Sequence, residues 1–492
     1  MVVWFKKVIP NSLKVMRFIK RIFQVIGVII GILFLIILGV FLIDGQKTSY
    51  LHIPKDVVES DQKILIKNVN LIPMTMDTVM NNKSVLVQKG IITQIEDDID
   101  LDEVTIIDGT NQFLMPGLID MHVHVWDEYE LGLYLANGIT TVRNLWGQPM
   151  HLRMKEAIED DEIYSPLFFT SGPKLTGPEF IGDDNYQLFS AEEAREVVRS
   201  TKEKGYDFIK TYYGLPQEYF DIIMEEAELN DLDIVAHPSN LVDYRYHFKS
   251  PIVSIEHAED IVQQPLNYTL DTLKLNEVVA SFKEAENTSF CPTLTVYHNI
   301  HRMLLDDEIL KSQDLNGVNP LIRKVDSQAQ YDRWASEKNR NDSIVGKIEA
   351  QHNFHLLALN KLNRAGVSII CGTDAGIGVT VPGSSIHQEL QFYSEAGLSN
   401  FEVLETATIN PAETHDFMRN LGTIETGKTA NLLLLKNNPL NDLSALKQPS
   451  IVFIKGRMLD ESTLNKFQEE GTGRNNLIIS LVRYIEFMLK KY

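Results

Sequence analysis

Six side chains able to bind metal or move protons stand at or near the ends of short apolar runs: His122, His124, Lys210, His237, His257 and Asp374. In His122-Val123-His124 the two imidazoles are alternate residues of an extended run, so both face one way and can share one metal ion. Lys210 closes Asp207-Phe208-Ile209-Lys210. A lysine held inside a protein has a lowered pKa, and its neutral amine can add carbon dioxide. The resulting carbamate is an anionic oxygen ligand able to bridge two metals. His237 follows Asp233-Ile234-Val235-Ala236, and His257 follows Val253-Ser254-Ile255-Glu256. Asp374 lies in Cys371-Gly372-Thr373-Asp374-Ala375-Gly376, where Gly372 permits close backbone approach. Singly, each is matched by a plain alternative, a satisfied core histidine or a lysine paired with an acid. Together they describe a metal centre.

Such a centre needs a scaffold that brings strand ends together. Eight candidate strands alternate with helical stretches: Gly117–His124, Ile139–Asn144, Leu167–Gly172, Asp207–Tyr212, Ile234–His237, Val253–His257, Phe290–Thr295 and Val367–Asp374. Helical spacing fills the gaps, as in Ala191–Lys204, Gln217–Leu229, Asn276–Ala285 and Gln388–Glu395. This alternation predicts an α/β chain with a (β/α)8 TIM barrel over 113–419, whose active site collects at the strand C-termini. Short strands on both flanks, 61–112 and 420–460, predict a small composite β-sandwich domain, since neither flank alone buries a core. Tyr297–Ala365, charged and helical, reads as an enlarged outer layer or a lid. A helical tail spans 461–492, with Leu477, Ile478, Leu481, Tyr484, Ile485 and Met488 at helical spacing, and is expected to pack on the body rather than make a second membrane contact.

The N-terminus is different. Ile22–Ile43 is apolar apart from Gln24, and a helix of that length reaches roughly 33 Å, enough to cross a bilayer core. Lys6, Lys7, Lys14, Arg17, Lys20 and Arg21 precede it, and no acid comes before Asp44. The positive-inside rule predicts a single-pass membrane anchor at 22–43, a cytoplasmic segment at 1–21, a linker at 44–60 and a body outside the cytoplasm. A cleaved signal peptide would have a shorter apolar core and a small-residue cleavage site.

Composition narrows the function. The chain holds 67 acidic residues against 46 Lys and Arg, for a net charge of -21, which argues against nucleic acid as a partner. Apolar residues at 44% and charged residues at 23% are those of a globular protein, not a disordered one. Cys291 and Cys371 are too few for a disulfide framework and read as buried free thiols. Asn82, Asn267, Asn287 and Asn341 sit in glycosylation-type triplets, which matter only in a eukaryotic secretory pathway.

From Pro116-Gly117-Leu118-Ile119-Asp120-Met121-His122-Val123-His124 onward the chain resembles the amidohydrolase superfamily of metal-dependent hydrolases. Ala407-Thr408-Ile409-Asn410-Pro411-Ala412-Glu413 and Leu421-Gly422-Thr423-Ile424-Glu425-Thr426-Gly427-Lys428-Thr429-Ala430-Asn431-Leu432 carry the likeness to the far flank, so that it covers roughly residues 60–460. The branch it looks most like is that of imidazolonepropionase-related and Xaa-Pro dipeptidase-like enzymes with a carboxylated lysine. The resemblance implies two divalent metal ions, with zinc the first expectation from the nitrogen and oxygen ligands. It places His122, His124 and Asp374 on one metal, His237 and His257 on the other, and the carbamate of Lys210 between them. It also gives Asp374 the catalytic role of proton carrier.

The chain departs from that pattern in two places. Thr140-Thr141-Val142-Arg143-Asn144 ends in Asn where relatives often have Asp, and Ser171 to Glu179 lacks the histidine frequent after the third strand. The metal ligands carry over more firmly than the substrate residues. Substrate contact is considered for Tyr212, Tyr213, Arg143 and His298, against packing for the two tyrosines, a structural ion pair for Arg143 and a plain surface position for His298; His387 and Glu389 are expected to support the site. The resulting expectation is a membrane-anchored hydrolase of a small amide or peptide bond, first a dipeptidase of Xaa-Pro type. A cyclic amidase, an N-acyl amino acid deacylase and a lactonase would use the same ligands, because fold does not fix function. A metal-containing binding protein without catalysis is the competing class, and a homo-oligomer is left open.

Overall fold

The computed structural model describes residues 9–58, 63–180, 185–285 and 288–490, so Lys6, Lys7, Asn287 and Lys491 lie outside the described residues. The chain divides into two compact units, Met1–Tyr50 and Leu51–Tyr492.

Among its described residues the first unit holds one long helix, Ile9–Lys47. Its most apolar 18-residue stretch has a mean hydropathy of 3.3, and among the described residues it is the single helix long and apolar enough to cross a membrane. The helix continues through Asp44–Lys47 and tightens into a 3-10 turn at Thr48–Leu51, so the expected linker is largely helical where it is described.

In the second unit the chain lays down β1 (Lys63–Leu71), β2 (Met80–Gln88), β3 (Ile91–Glu96), β4 (Thr105–Asp108) and β5 (Phe113–Pro116). It then enters the barrel. The strands there are β6 (Leu118–Val123), β7 (Ile139–Asn144), β8 (Leu167–Thr176), β9 (Asn185–Gln187), β10 (Phe208–Thr211), β11 (Ile234–Ala236), β12 (Ile252–Glu256) and β13 (Ser289–Cys291). Seven of them pair in the order β6-β7-β8-β10-β11-β12-β13, with the short β9 beside β8. All of these pairings are parallel.

The eighth position differs from expectation. Residues 368–375 close the ring without forming a regular strand. They touch both neighbours, through Ile370 N to Phe290 O at 2.9 Å on one side and Met121 N to Cys371 O at 2.8 Å on the other. The regular ladder fails because other groups take its backbone donors. Cys371 N goes to Thr406 O, and Thr373 N goes to the Asp120 carboxylate at 3.1 Å. Gly372 is required here, since a Cβ would lie 2.4 Å from Cys291 Sγ and 2.7 Å from His122 Cβ.

The chain returns to the flanking sheet with β14 (Leu432–Leu435), β15 (Ile451–Ile454) and β16 (Arg457–Asp460). The two flanks join where β14 pairs antiparallel with β5, giving one mixed sheet in the order β16-β15-β14-β5-β1-β2-β3, with β4 beside β1. The segment entering β14 also bonds the turn between β2 and β3, Ala430 N donating to Gly90 O at 2.8 Å, and Gly456 N donates to Ala430 O at 2.9 Å. Ile64, Ile66, Val85, Val87, Leu114, Leu432 and Phe453 fill its interior. Their alternate spacing is the period-two pattern of a strand with one face inward.

The long segment after β13 forms an enlarged helical layer. Helices Thr295–Leu305 and Ile344–Arg364 pack around Tyr297, Ile300, Met303, Leu304, Leu315 and Ile348. Cys291 and Cys371 are both free and buried, and burial pushes both thiols up.

Candidate metal centre

Ring closure through residues 368–375 carries Asp374 across to β6. Asp120 fastens the two by accepting from Thr373 N and from Thr373 Oγ1, the latter at 2.7 Å. Asp374 then lies with Oδ1 at 2.9 Å from His124 Nε2 and 3.3 Å from His122 Nε2. One ligand atom from each of these three buried residues lies within 4.8 Å of the others, close enough to hold one cation.

The other two histidines sit alongside. The His257 ring centroid is 4.7 Å from His122 and 4.6 Å from His237. His257 Nδ1 is 3.0 Å from Thr293 Oγ1 and 4.0 Å from Asp374 Oδ2. His257 (φ 71°), Thr293 (φ 47°) and Asp374 (φ 59°) all adopt left-handed backbone. Each costs of order 1–3 kcal/mol for a residue other than glycine, and such strain gathers at functional sites. At His257 it breaks the strand alternation, so Glu256 and His257 both turn toward the centre.

Lys210, only 1% exposed, has no hydrogen-bond partner for its Nζ among the described residues. Burial lowers its pKa to about 8, although the Glu256 and Asp374 carboxylates oppose the shift. His237 Nδ1 is likewise buried without a partner, while its Nε2 lies 3.3 Å from Asp260 Oδ2. A buried amine and a buried imidazole nitrogen left unpaired are costly unless something else meets them. Both lack a partner where the other four candidate ligands converge, and this donor set fits a pair of divalent cations.

Arg143 takes the structural one of its two expected roles. It is fully buried and committed to protein groups, so it is not free for substrate. Its Nε donates to Met121 O at 2.7 Å, one terminal nitrogen reaches Ser254 Oγ and His415 Nε2, and the other reaches Glu256 Oε1 at 2.9 Å. His415 Nδ1 in turn meets Asp233 Oδ2 at 2.6 Å. Glu256 is buried, which by itself would raise its pKa, but Arg143 and His122 hold it well below the usual carboxylate range. Its ionised Oε2 accepts from His122 Nδ1 at 2.6 Å. That bond fixes the ring and leaves the Nε2 lone pair facing Asp374 and His124, as a metal-binding histidine requires.

His298 is not gathered with the candidate ligands. It packs in the outer helical layer, 6.0 Å from the His352 ring and 5.0 Å from Phe392. His387 lines a separate cavity with Asn137, Gln388, Asp442 and Leu446. Glu389 does support the site, since it accepts from Leu294 N at 2.8 Å and Thr295 N at 2.7 Å and so pins the loop carrying Thr293. Tyr212 and Tyr213 stand at the rim, their rings 4.4 and 6.0 Å from that of His237. Asn144 is structural. Its amide nitrogen donates to Thr170 Oγ1 at 2.9 Å and Trp146 O at 3.0 Å, which an aspartate could not do.

Lys174 was not anticipated. It pairs in register with Lys210 across β8 and β10, so both point the same way. It is 7% exposed, and its Nζ lies 4.8 Å above the Tyr212 ring.

The sequence profile of the amidohydrolase family matches residues 113–459, and the chain belongs to that family of hydrolases, which act on amide and other carbon–nitrogen bonds and are typically metal-dependent. Among individual relatives, it is 23% identical over 404 residues to the ochratoxinase of Aspergillus niger, covering 69% of this chain and 73% of that one. Two solved structures share the fold. A bottromycin amidohydrolase superposes with a TM-score of 0.70 at 20% identity, over 87% of this chain and 93% of that one. A Xaa-Pro dipeptidase with bound methionine gives 0.62 at 20% identity, over 81% and 100%.

Proposed function

We propose that the chain is a membrane-anchored, binuclear metal-dependent hydrolase that cleaves a dipeptide, first of the Xaa-Pro class, outside the cytoplasm. The observation that carries this reading is the convergence of His122, His124, Asp374, His237 and His257 around a buried lysine amine without a partner. His122, His124 and Asp374 would hold one zinc ion, His237 and His257 the other, and Lys210, as a carbamate, would join them. When bound, the pair supplies Lewis acidity, acidifying a water and polarising the scissile carbonyl.

The protein's own groups do the rest. Asp374 Oδ1 and Oδ2 face the two halves of the histidine set, a position from which the carboxylate takes a proton from the attacking water and returns it to the leaving nitrogen. Lys174 gives the mouth a cation for the dipeptide's free carboxylate, and Tyr212 and Tyr213 give it hydroxyls and an apolar wall. The basic residues before the apolar helix support a cytoplasmic N-terminus.

The test is hydrolysis of a dipeptide panel by the full chain in nanodiscs, loaded with zinc and bicarbonate. Cleavage of Xaa-Pro members that is lost on chelation supports the reading. Two bound metals with no dipeptide cleaved would turn it toward cyclic amides, lactones or N-acyl amino acids.

A further inference from the structure

The helix Leu477–Lys490 packs on the protein through one side and leaves a broad apolar sector on the other. Ile479, Ser480 and Phe487 are buried against the body. On the opposite side Ile478 (59% exposed), Leu481 (45%), Ile485 (48%), Met488 and Leu489 (78%) face outward. With about 100° of turn per residue, these five and Val482 occupy a sector of roughly 120° that contains no polar residue. A soluble surface helix keeps polar groups on its outer face, so a continuous apolar sector marks a contact with something else.

The path of the chain says what that contact is. The helix Pro149–Glu159 packs on Leu477–Lys490, with Arg153 bonded to Glu486 at 3.0 and 2.7 Å and the Trp146 ring 5.5 Å from Phe487. Pro149–Glu159 spans about 16 Å. A few residues beyond it, Ile163 bridges His52 and Tyr164 N donates to Leu51 O at 2.7 Å. Leu51 is the first residue of the body and follows Lys47, the end of the apolar N-terminal helix, by four positions. The exposed sector therefore lies one short helix away from the point where the body begins. A bilayer holding Ile22–Ile43 cannot be far from that point.

We infer that the outward face of Leu477–Lys490 is a second membrane contact, lying in the bilayer interface and seating the body on the lipid surface. This rests on the membrane-anchor reading, and the test separates the two. Both native cysteines are buried. Single nitroxide labels would be placed on the full chain in phosphatidylcholine nanodiscs through Ile485→Cys on the outward face, Ile30→Cys in the anchor and Leu229→Cys. Leu229 is a 73% exposed residue on another helix and serves as the control for exposure alone.

The readout is the ratio of collisions with oxygen to collisions with a water-soluble nickel chelate. The expected result is a ratio at position 485 several-fold above that at position 229 and approaching that at position 30. A water-like ratio at 485 with a lipid-like ratio at 30 would overturn the contact and leave the anchor standing. Water-like ratios at both, with loss of the N-terminal helix by mass, would overturn the anchor and the contact with it. Spin–spin broadening at 485 that grows with the number of copies per disc would assign the face to a second copy of the chain and overturn the lipid assignment.

Discussion

At the junction where the C-terminal tail meets the barrel, Arg474 places one terminal nitrogen 2.9 Å from Asp127 Oδ1 and the other 3.1 Å from Glu130 Oε1 and 2.8 Å from Gly317 O. Asn319 and Asn476 complete Asp127 Oδ2 at 2.6 and 2.8 Å. At the barrel mouth Lys210 is just as deeply buried, yet its amine meets no hydrogen-bond acceptor among the described residues. The two clusters share one fold and one problem, how to bury a cation. At the junction the Asp127 carboxylate neutralises the guanidinium, while burial pushes Glu130 up to about 8 and leaves it a hydrogen-bond partner, so the cluster is a fastener. At the mouth the carboxylates are spent elsewhere, Glu256 on Arg143 and His122, and Asp374 beside His122 and His124. Incomplete neutralisation is what separates a place built to receive a ligand from a place built to hold the chain together.

The sharpest way to break this comparison is to replace both cations by methionine. Lys210→Met is expected to lower kcat by about 10³-fold or more, an effect of about 4 kcal/mol, and to reduce bound zinc. The same variant without metal is expected to be as stable as the parent or more so, by about 1–3 kcal/mol, because an unpaired buried amine is gone. Arg474→Met should do the reverse. It strands the Asp127 carboxylate without a counter-charge, costs about 3–5 kcal/mol in denaturant unfolding, and leaves turnover per folded molecule near the parent's. If metal-free Lys210→Met unfolds as readily as Arg474→Met, the mouth lysine is a fastener too and the contrast fails.

Arg143 sharpens the same point from inside the site, because it binds Glu256 as Arg474 binds Asp127 but acts on a ligand. Arg143→Met releases Glu256, and with it the orientation of His122. The expected loss in zinc affinity or turnover is about 10–100-fold, the usual effect of removing a group that orients a metal-bound histidine. Excess zinc should restore part of the activity, which it would not do if the arginine met substrate. Lys174→Met tests the mouth's remaining cation. It should raise KM about tenfold for a dipeptide with a free carboxylate and leave the C-terminal amide unaffected.

Much of this was legible from spacing. His122, His124, Lys210, His237, His257 and Asp374 announce themselves because each interrupts or ends an apolar run that a barrel would bury. Ala191–Lys204 and Gln217–Leu229 were readable to the residue, since Ser190 caps the first through Glu193 N and Pro216 precedes the second. Glu256 was not read, although Ser254 and Glu256 are alternate polar residues on one face of a strand, which was the available signal. Its meaning depends on Arg143, which only the folded ring brings to 2.9 Å. Lys174 lies beyond the expected strand Leu167–Gly172, whereas β8 runs on through Pro173 to Thr176. His298 misled for the opposite reason: it follows β13 in sequence, but it lies on a helix that carries it into the outer layer, beside His352 and Phe392. Local pattern marks which side chains are inside. It does not say which of them meet across the barrel.

The comparison also sets a scale for the ion pair that ties the C-terminal helix to the body. Arg153 meets Glu486 through two bonds, a geometry as favourable as that of Arg474, but the arginine side chain is 52% exposed and the glutamate 26%. Water already solvates both charges, so pairing them gains little and losing one partner strands nothing. Arg153→Ala is therefore expected to cost less than about 1 kcal/mol, and less again in high salt. The pH dependence has a definite sign. Partial burial alone would raise the Glu486 pKa, but Arg153 and Lys490 hold it below its ordinary value of 4.5. Its contribution is thus present above the unfolded value and lost as pH falls through the folded one. Unfolding curves of the parent and Arg153→Ala should differ slightly at pH 7 and converge in acid. A penalty at pH 7 as large as that of Arg474→Met would mean that geometry, rather than exclusion from water, decides which ion pairs hold this protein together.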